Sequence, residues 1–224
     1  MSAVTEPALL VQLLAQAKLL IFDVDGTLAD TSALHARAFD EVLAPLGVTV
    51  RYPDIAGRTT ADAIRHCLRD DRLKLEAGAV AELVGRKQER ARSLIETELV
   101  ALPGVDPFLR WARPKYRLSI CSAGSRTTVE LCLRKLGYDG WFDPIVCSDD
   151  IRHGKPNPEG FLWVLHLTGI RAARAIVFED SDSGLAAACA AGIAAVCVYP
   201  KPDRPDLSID WSALNRLTSL GTAR

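Results

Sequence analysis

No CxxC pair occurs in this chain, although it holds six cysteines: Cys67, Cys121, Cys132, Cys147, Cys189 and Cys197. Most of them sit in apolar stretches. The pattern argues against a zinc site and a disulfide framework, and fits reduced thiols in a cytoplasmic protein. No apolar run approaches the ~20 residues that a membrane span needs. Charge of one sign is also missing, with 27 Lys and Arg against 28 Asp and Glu and a formal net charge of -1. Without a broad basic field the chain draws in neither nucleic acid nor anionic lipid, so any anion must be held by a local site. The stretch before Leu9 has no Lys or Arg and carries Glu6. Ala15-Gln16-Ala17 resembles a signal cleavage site, but the apolar run from Leu9 to Leu14 is short and broken by Gln12. It reads as a short amphipathic helix rather than a signal peptide. There is no internal repeat and no low-complexity segment. Nothing fixes an oligomeric state, and nothing demands more than a monomer.

What is present is ordinary for a globular protein, with 49% hydrophobic and 25% charged residues in 224, enough for one or two domains. Leu19-Leu20-Ile21-Phe22 is a short apolar run that ends in Asp23. Similar runs cover Leu118 to Cys121, Ala175 to Phe178 and Ala194 to Val198, with a shorter one from Pro144 to Cys147. Helical patterns separate the later runs, over Arg126 to Leu136, Pro158 to Thr168 and Ser181 to Ala191. Strands alternating with helices predict an α/β fold with a Rossmann-like parallel sheet, and continuous apolar strands predict a sheet buried on both faces. Between the first two strands, Thr31 to Leu102 holds no convincing strand. Ile64, Cys67 and Leu68 have helical spacing, as do Val80, Leu83, Val84, Ala91, Leu94 and Ile95. The block is too long for one crossover. It predicts an inserted helical cap over 31–102 in a core made of 1–30 and 103–224, with Pro103-Gly104 marking the return. Trp111, Trp141, Trp163 and Trp211 are expected in or near the core, with one of them free to mark an interface. The tail from Lys201 to Arg224 shows no assignable chemistry.

The strongest chemical signal is Asp23-Val24-Asp25-Gly26-Thr27-Leu28, placed directly after the first strand. Two acids one residue apart point the same way on an extended chain, and Gly26 permits a turn. Ligands of open parallel sheets bind beyond the carboxyl ends of strands, where these acids sit. The second strand ends in Ser122-Ala123-Gly124-Ser125, which is either an anion cradle or a plain helix cap. Lys155 lies in Gly154-Lys155-Pro156-Asn157-Pro158, either stiffened to hold an anion or simply solvated. The fourth strand ends in Glu179-Asp180-Ser181, with Gly184 beyond. Two acids at a buried strand end need a cation, and hard oxygen ligands suit Mg²⁺; capping of the next helix is the alternative.

Taken together, these four segments in this order resemble the haloacid dehalogenase-like superfamily, and within it the subgroup of β-phosphoglucomutase and small sugar-phosphate phosphatases. The resemblance spans nearly the whole core, and the insert is similar to that family's helical cap. It implies that Asp23 is the nucleophile and forms an aspartyl-phosphate. It implies that Asp25 protonates the leaving oxygen and then takes a proton from water. Mg²⁺ is then held by the Asp23 carboxylate, the Asp25 carbonyl and Asp180, with Glu179 a further ligand or a support. Ser122, Ala123 and Lys155 hold the phosphoryl oxygens. Dehalogenases of the superfamily lack the second acid, so Asp25 favours a phosphate ester.

Cap residues bear on substrate. His35 and Phe39 share a helical face with Val42 and Leu46, so His35 faces inward, as a packed histidine or as one that controls water. Lys87 falls on an apolar stripe, where it must snorkel or meet an anion. In Gly57-Arg58-Thr59-Thr60, Arg58 either selects an anionic or sugar group or is a surface charge. The mutases resembled have a Gly followed by a Ser-Arg pair there, and this chain departs from that. The expectation is a phosphatase acting on a small phosphorylated metabolite, a sugar phosphate first. A hexose phosphate mutase is the alternative, and a non-catalytic phosphometabolite-binding module is the reading from another class.

Overall fold

A computed structural model of the protein describes residues 4, 6–68, 78–198 and 209–220. Part of the C-terminal tail considered above, 201–208 and 221–224, therefore lies outside the described residues. Five strands form one parallel sheet: β1 (Leu19–Phe22), β2 (Arg117–Cys121), β3 (Ile145–Val146), β4 (Ala175–Glu179) and β5 (Ala194–Cys197). Their order is β3-β2-β1-β4-β5, which puts β1 at the centre. Phe22 pairs in register with Ile120 on one side and Phe178 on the other, so the strand ends line up along one rim.

Alternation along each strand splits the apolar residues between two faces. Leu20, Phe22, Ile176, Phe178 and Val196 enter one core cluster, with Phe108 and Trp211. Leu19, Ile21, Ala175, Val177 and Ala195 enter the other, with Phe161, Val164 and Ala187. A strand buried on both sides has no polar face, which is why these runs are continuously apolar. Helices α7 (Arg126–Lys135), α8 (Glu159–Thr168) and α9 (Asp182–Ala190) make the crossovers, and α1 (Pro7–Gln16) precedes β1.

Between β1 and β2 stand α2 (Ser32–Leu43), α3 (Tyr52–Ile55), α4 (Thr60–Cys67) and α5 (Ala79–Glu98). They enclose a separate cluster of Phe39, Val42, Leu43, Ile55, Ala63, Ile64 and Leu83. The chain enters and leaves this block through paired extended segments. Asp30 N–H donates to the Val100 carbonyl at 3.0 Å, and Leu102 N–H donates to that of Leu28 at 3.2 Å.

Two helices lie beyond the predicted set. In α6 (Val105–Ala112), Val105, Phe108, Leu109 and Ala112 are buried, and α10 (Trp211–Leu220) packs against it. The tryptophans divide. Trp211 is buried, and Trp111 and Trp141 lean on the main cluster. Trp163 is the one that lies outside the core: it is 42% exposed and stacks on His166. The buried face of α8 is taken by Gly160, Phe161 and Val164, which turns Trp163 outward. No helix among the described residues is long and apolar enough to cross a membrane.

Candidate active site

The aligned ends of β1, β2 and β4 bring Asp23, Ser122, Glu179 and Asp180 to one rim. After β1 the chain turns sharply, with the amides of Thr27, Leu28 and Ala29 all donating to the Val24 carbonyl. Gly26 has φ of +80°, and a Cβ there would collide with the Asp180 carboxylate. Glycine is therefore required for both the turn and the close approach.

Lys155 reaches into this rim from the loop before α8. Its Nζ donates to Asp23 Oδ1 at 2.7 Å and to Glu179 Oε1 at 2.5 Å, and all three residues are buried. The other oxygen of Glu179 accepts from the amides of Asp180 and Ser181 at 2.9 and 2.8 Å and from the Ser181 hydroxyl at 2.9 Å. Both Glu179 oxygens are thus engaged. Ser181 also caps α9, accepting from Gly184 N–H at 3.1 Å, so the capping alternative holds alongside the acidic site. Asp180 accepts from Thr27 Oγ1 at 3.3 Å.

Asp25 heads a second chain of contacts. Its Oδ1 accepts from Thr31 Oγ1 at 2.6 Å and lies 2.9 Å from His35 Nε2. On the far side of the ring, Nδ1 lies 2.8 Å from Lys87 Nζ, which also sits 4.3 Å from the Phe39 ring centre. Lys87 is buried, and its ammonium meets His35 and Phe39 at the pocket wall.

One ammonium cannot balance three enclosed carboxylates, and the surplus falls on Asp23 and Asp180. Burial, with the charges of Glu179 and Asp25, pushes Asp23 up to about 8 against the pull of Lys155. Burial and the charges of Glu179 and Asp23 raise Asp180 in the same way. Burial works on Asp25 too, but the charge and hydrogen bond of His35, with Thr31, carry it below the usual carboxylate range. Burial lowers Lys87 to about 8, with Asp25 opposing.

These surroundings fit a divalent cation. Mg²⁺ takes one or two carboxylates and fills its other positions with water and substrate phosphate. Among the described residues no group of three or more acid, His or Cys side chains is assembled for a metal. The side chains that would fit such an ion are the under-compensated Asp23 and Asp180 carboxylates.

A pocket of about 620 Å³, counting its mouth, opens between rim and cap. Of the residues singled out from sequence, Asp23, Asp25, His35, Gly57, Arg58, Lys87, Ala123 and Asp180 line it. Ser122, Lys155 and Glu179 do not. Ser122 and Lys155 border a smaller cavity behind, and Ser122 Oγ accepts from Gly124 N–H at 3.0 Å. Gly57 acts through its backbone. Its φ is +76°, and a Cβ would overlap the hydroxyls of Ser181 and Ser183, so the cap loop rests directly on the start of α9. Thr59 caps α4, accepting from Asp62 N–H at 3.2 Å. Sequence reasoning missed Thr27, Thr31, Tyr52 and Gln88. Thr27 lies inside the quoted acidic segment and Thr31 just beyond it, and that position was the available signal. Tyr52 and Gln88 reach the pocket only through the folding of the cap.

Comparison with known proteins finds relatives over most of the chain. A fructose-1-phosphate phosphatase of Escherichia coli is 33% identical over 184 residues, covering 80% of this chain and 95% of that protein. The CbbY protein of Cereibacter sphaeroides is 34% identical, covering 78% of this chain and 80% of that one. A crystal structure of CbbY from Rhodobacter sphaeroides in complex with xylulose-1,5-bisphosphate is 30% identical, with a TM-score of 0.73 over 81% of this chain and 85% of that one. A beta-phosphoglucomutase structure from Clostridium difficile shares the fold, with a TM-score of 0.78 at 21% identity over 93% of this chain and 100% of that one. The haloacid dehalogenase-like hydrolase profile matches residues 20–198, and the chain belongs to that family.

Proposed function

We propose that the protein is a Mg²⁺-dependent phosphatase that hydrolyses a small phosphorylated sugar through an aspartyl-phosphate on Asp23. One observation carries the reading: the Asp23 carboxylate lies at the floor of the pocket between rim and cap, gripped by Lys155 at 2.7 Å, with Asp25 and Asp180 beside it. In the first step an Asp23 oxygen attacks phosphorus, and the bond from phosphorus to the ester oxygen breaks. The negative charge of the bound phosphate raises Asp25 from its depressed value, and Asp25, so protonated, gives its proton to that oxygen as the alcohol leaves. In the second step Asp25 takes a proton from water as the water oxygen attacks phosphorus, which frees Asp23 and inorganic phosphate.

Asp23, Asp180 and the Asp25 carbonyl would hold the magnesium ion, which supplies positive charge against the repulsion between a carboxylate and a phosphate dianion. Lys155, the Ser122 hydroxyl and the Ala123 amide hold phosphoryl oxygens. Glu179, already bonded to Lys155 and to the α9 amides, supports Lys155 rather than joining the metal. The insert over 31–102 is the cap domain of this reading, and the segments around 30 and 101 are its hinge. Within it, Arg58 and Lys87 supply cationic charge, Gly57 seats the loop and His35 orients Asp25. A pocket of this size suits a small phosphorylated metabolite.

The departure at Arg58-Thr59-Thr60 from the mutase pattern favours hydrolysis. Transfer between sugar phosphates keeps one supporting observation, the buried Asp25–His35–Lys87 chain at the hinge. A panel of sugar phosphates and other phosphomonoesters assayed with Mg²⁺ for both free phosphate and isomerised product tests the choice. Phosphate release dominates if the proposal holds. Isomerisation stimulated by a bisphosphate overturns it in favour of a mutase, and silence across the panel favours a binding module.

A further inference from the structure

Helix α10 lies past residue 198, where the family match ends. It nevertheless touches the catalytic loop. Trp211 is buried, and its indole Nε1–H donates to the backbone carbonyl of Thr27 at 2.9 Å. The same Thr27 donates its hydroxyl to Asp180 at 3.3 Å. Both groups hang from one Cα, so a displacement of the Thr27 backbone moves the carbonyl and the hydroxyl together. The indole is fixed in turn by rings on the two strands that bear the acids, stacking on Phe178 at 5.7 Å and on Phe22 at 6.4 Å.

The next turn of α10 holds the hinge. Asn215 Nδ2 donates to the Gly104 carbonyl at 2.8 Å, directly after the returning segment that pairs with Leu28. Gly104 has φ of +88°, and a Cβ there would meet Trp211 Cβ at 2.8 Å. The helix is seated against backbone that only glycine can supply.

We propose that Trp211 is a positioning residue, and that α10 is a strut holding the Thr27 turn, and through Thr27 the Asp180 carboxylate, in place opposite Asp23. The proposal rests on the phosphoryl-transfer reading of that site. A buried indole N–H and a buried carbonyl both need partners. Here each satisfies the other, and losing the donor leaves the carbonyl free to turn.

The test is Trp211→Phe, which keeps an aromatic ring and deletes the donor, measured beside Thr27→Val, which keeps the indole bond and deletes the hydroxyl. Three readouts are taken: Mg²⁺ binding by calorimetry without substrate, amide hydrogen exchange across 23–31 in metal-free protein, and kcat and KM. For Trp211→Phe the expected results are about tenfold weaker Mg²⁺ binding, about tenfold faster exchange at the turn and lower kcat at similar KM. Thr27→Val shows the same loss of Mg²⁺ binding. A lower melting temperature with unchanged Mg²⁺ binding and unchanged exchange overturns the proposal, as does Thr27→Val binding Mg²⁺ like the parent. Should Trp211→Phe not fold, Thr27→Val decides alone. The binding and exchange arms need no substrate, so they separate this proposal from the identity of the reaction.

Discussion

Lys155 Nζ lies 2.7 Å from Asp23 Oδ1, a contact that joins residues 132 positions apart and buries both. The same ammonium holds Glu179, so one cation organises two acids from neighbouring strands. Lys155→Met should therefore damage fold and chemistry together. Removing one partner of a buried ion pair costs roughly 3–5 kcal/mol, and losing a stabilising cation lowers kcat by about 10²–10³. Denaturant unfolding and initial rates check this. The stability loss should shrink at low pH, where the orphaned acids take up protons.

The surplus of negative charge predicts a pH dependence that changes sign with metal. Asp23 is raised from its ordinary 3.8 to about 8, so the metal-free folded state holds a proton that the unfolded state releases. That contribution to stability is full below the unfolded value and is lost as pH rises towards about 8. Asp180 shifts in the same direction. Mg²⁺ needs the ionised carboxylates, so its affinity rises with pH over this window by up to about tenfold per unit for each proton displaced. Melting temperatures with EDTA and with Mg²⁺ at about pH 5 and about pH 8 test both trends. The gap between the two curves should widen as pH rises.

His35 stands between Asp25 and Lys87. His35→Ala leaves Asp25 with Thr31 and leaves Lys87 over Phe39. Proton transfer by a misaligned acid should slow kcat by about 10–10² while KM changes little. Lys87→Met, which suits the apolar stripe, should preserve stability and give a smaller loss of kcat.

Glycines on the two sides of the molecule should respond oppositely to alanine. At Gly184 a Cβ would overlap the Glu179 carboxylate, which would have to leave Lys155 and Ser181. Gly184→Ala should cost about 1–3 kcal/mol and most of the activity. Gly85, exposed within α5, has open space at its Cβ. Gly85→Ala should add up to about 1 kcal/mol through helix propensity. Thermal denaturation of the two variants makes the comparison.

Much of this was legible in residue order, for a physical reason. Strands buried on both faces must be apolar throughout, so β1, β2, β4 and β5 announced themselves, and so did the acids where the β1 and β4 runs stopped. The inward lysine was visible because Lys87 broke an apolar stripe. Its partner was not, because His35 is 52 positions away and meets it only once α2 packs on α5. The helix α6 carried a clear pattern in Val105, Phe108, Leu109 and Ala112, but its shortness hid it behind Pro103-Gly104. The contacts of Trp211 and Asn215 lie wholly outside any local pattern, since both reach backbone carbonyls whose partners leave no mark on composition.

The central claim is that phosphate passes through Asp23. During turnover with Mg²⁺ and an accepted sugar phosphate, acid quenching and borohydride reduction should convert an aspartyl-phosphate to homoserine, and peptide mass spectrometry should find it at position 23. Asp23→Asn should show no adduct and a rate lower by more than about 10³. A phosphorylated residue elsewhere, or full turnover in Asp23→Asn, would contradict the account.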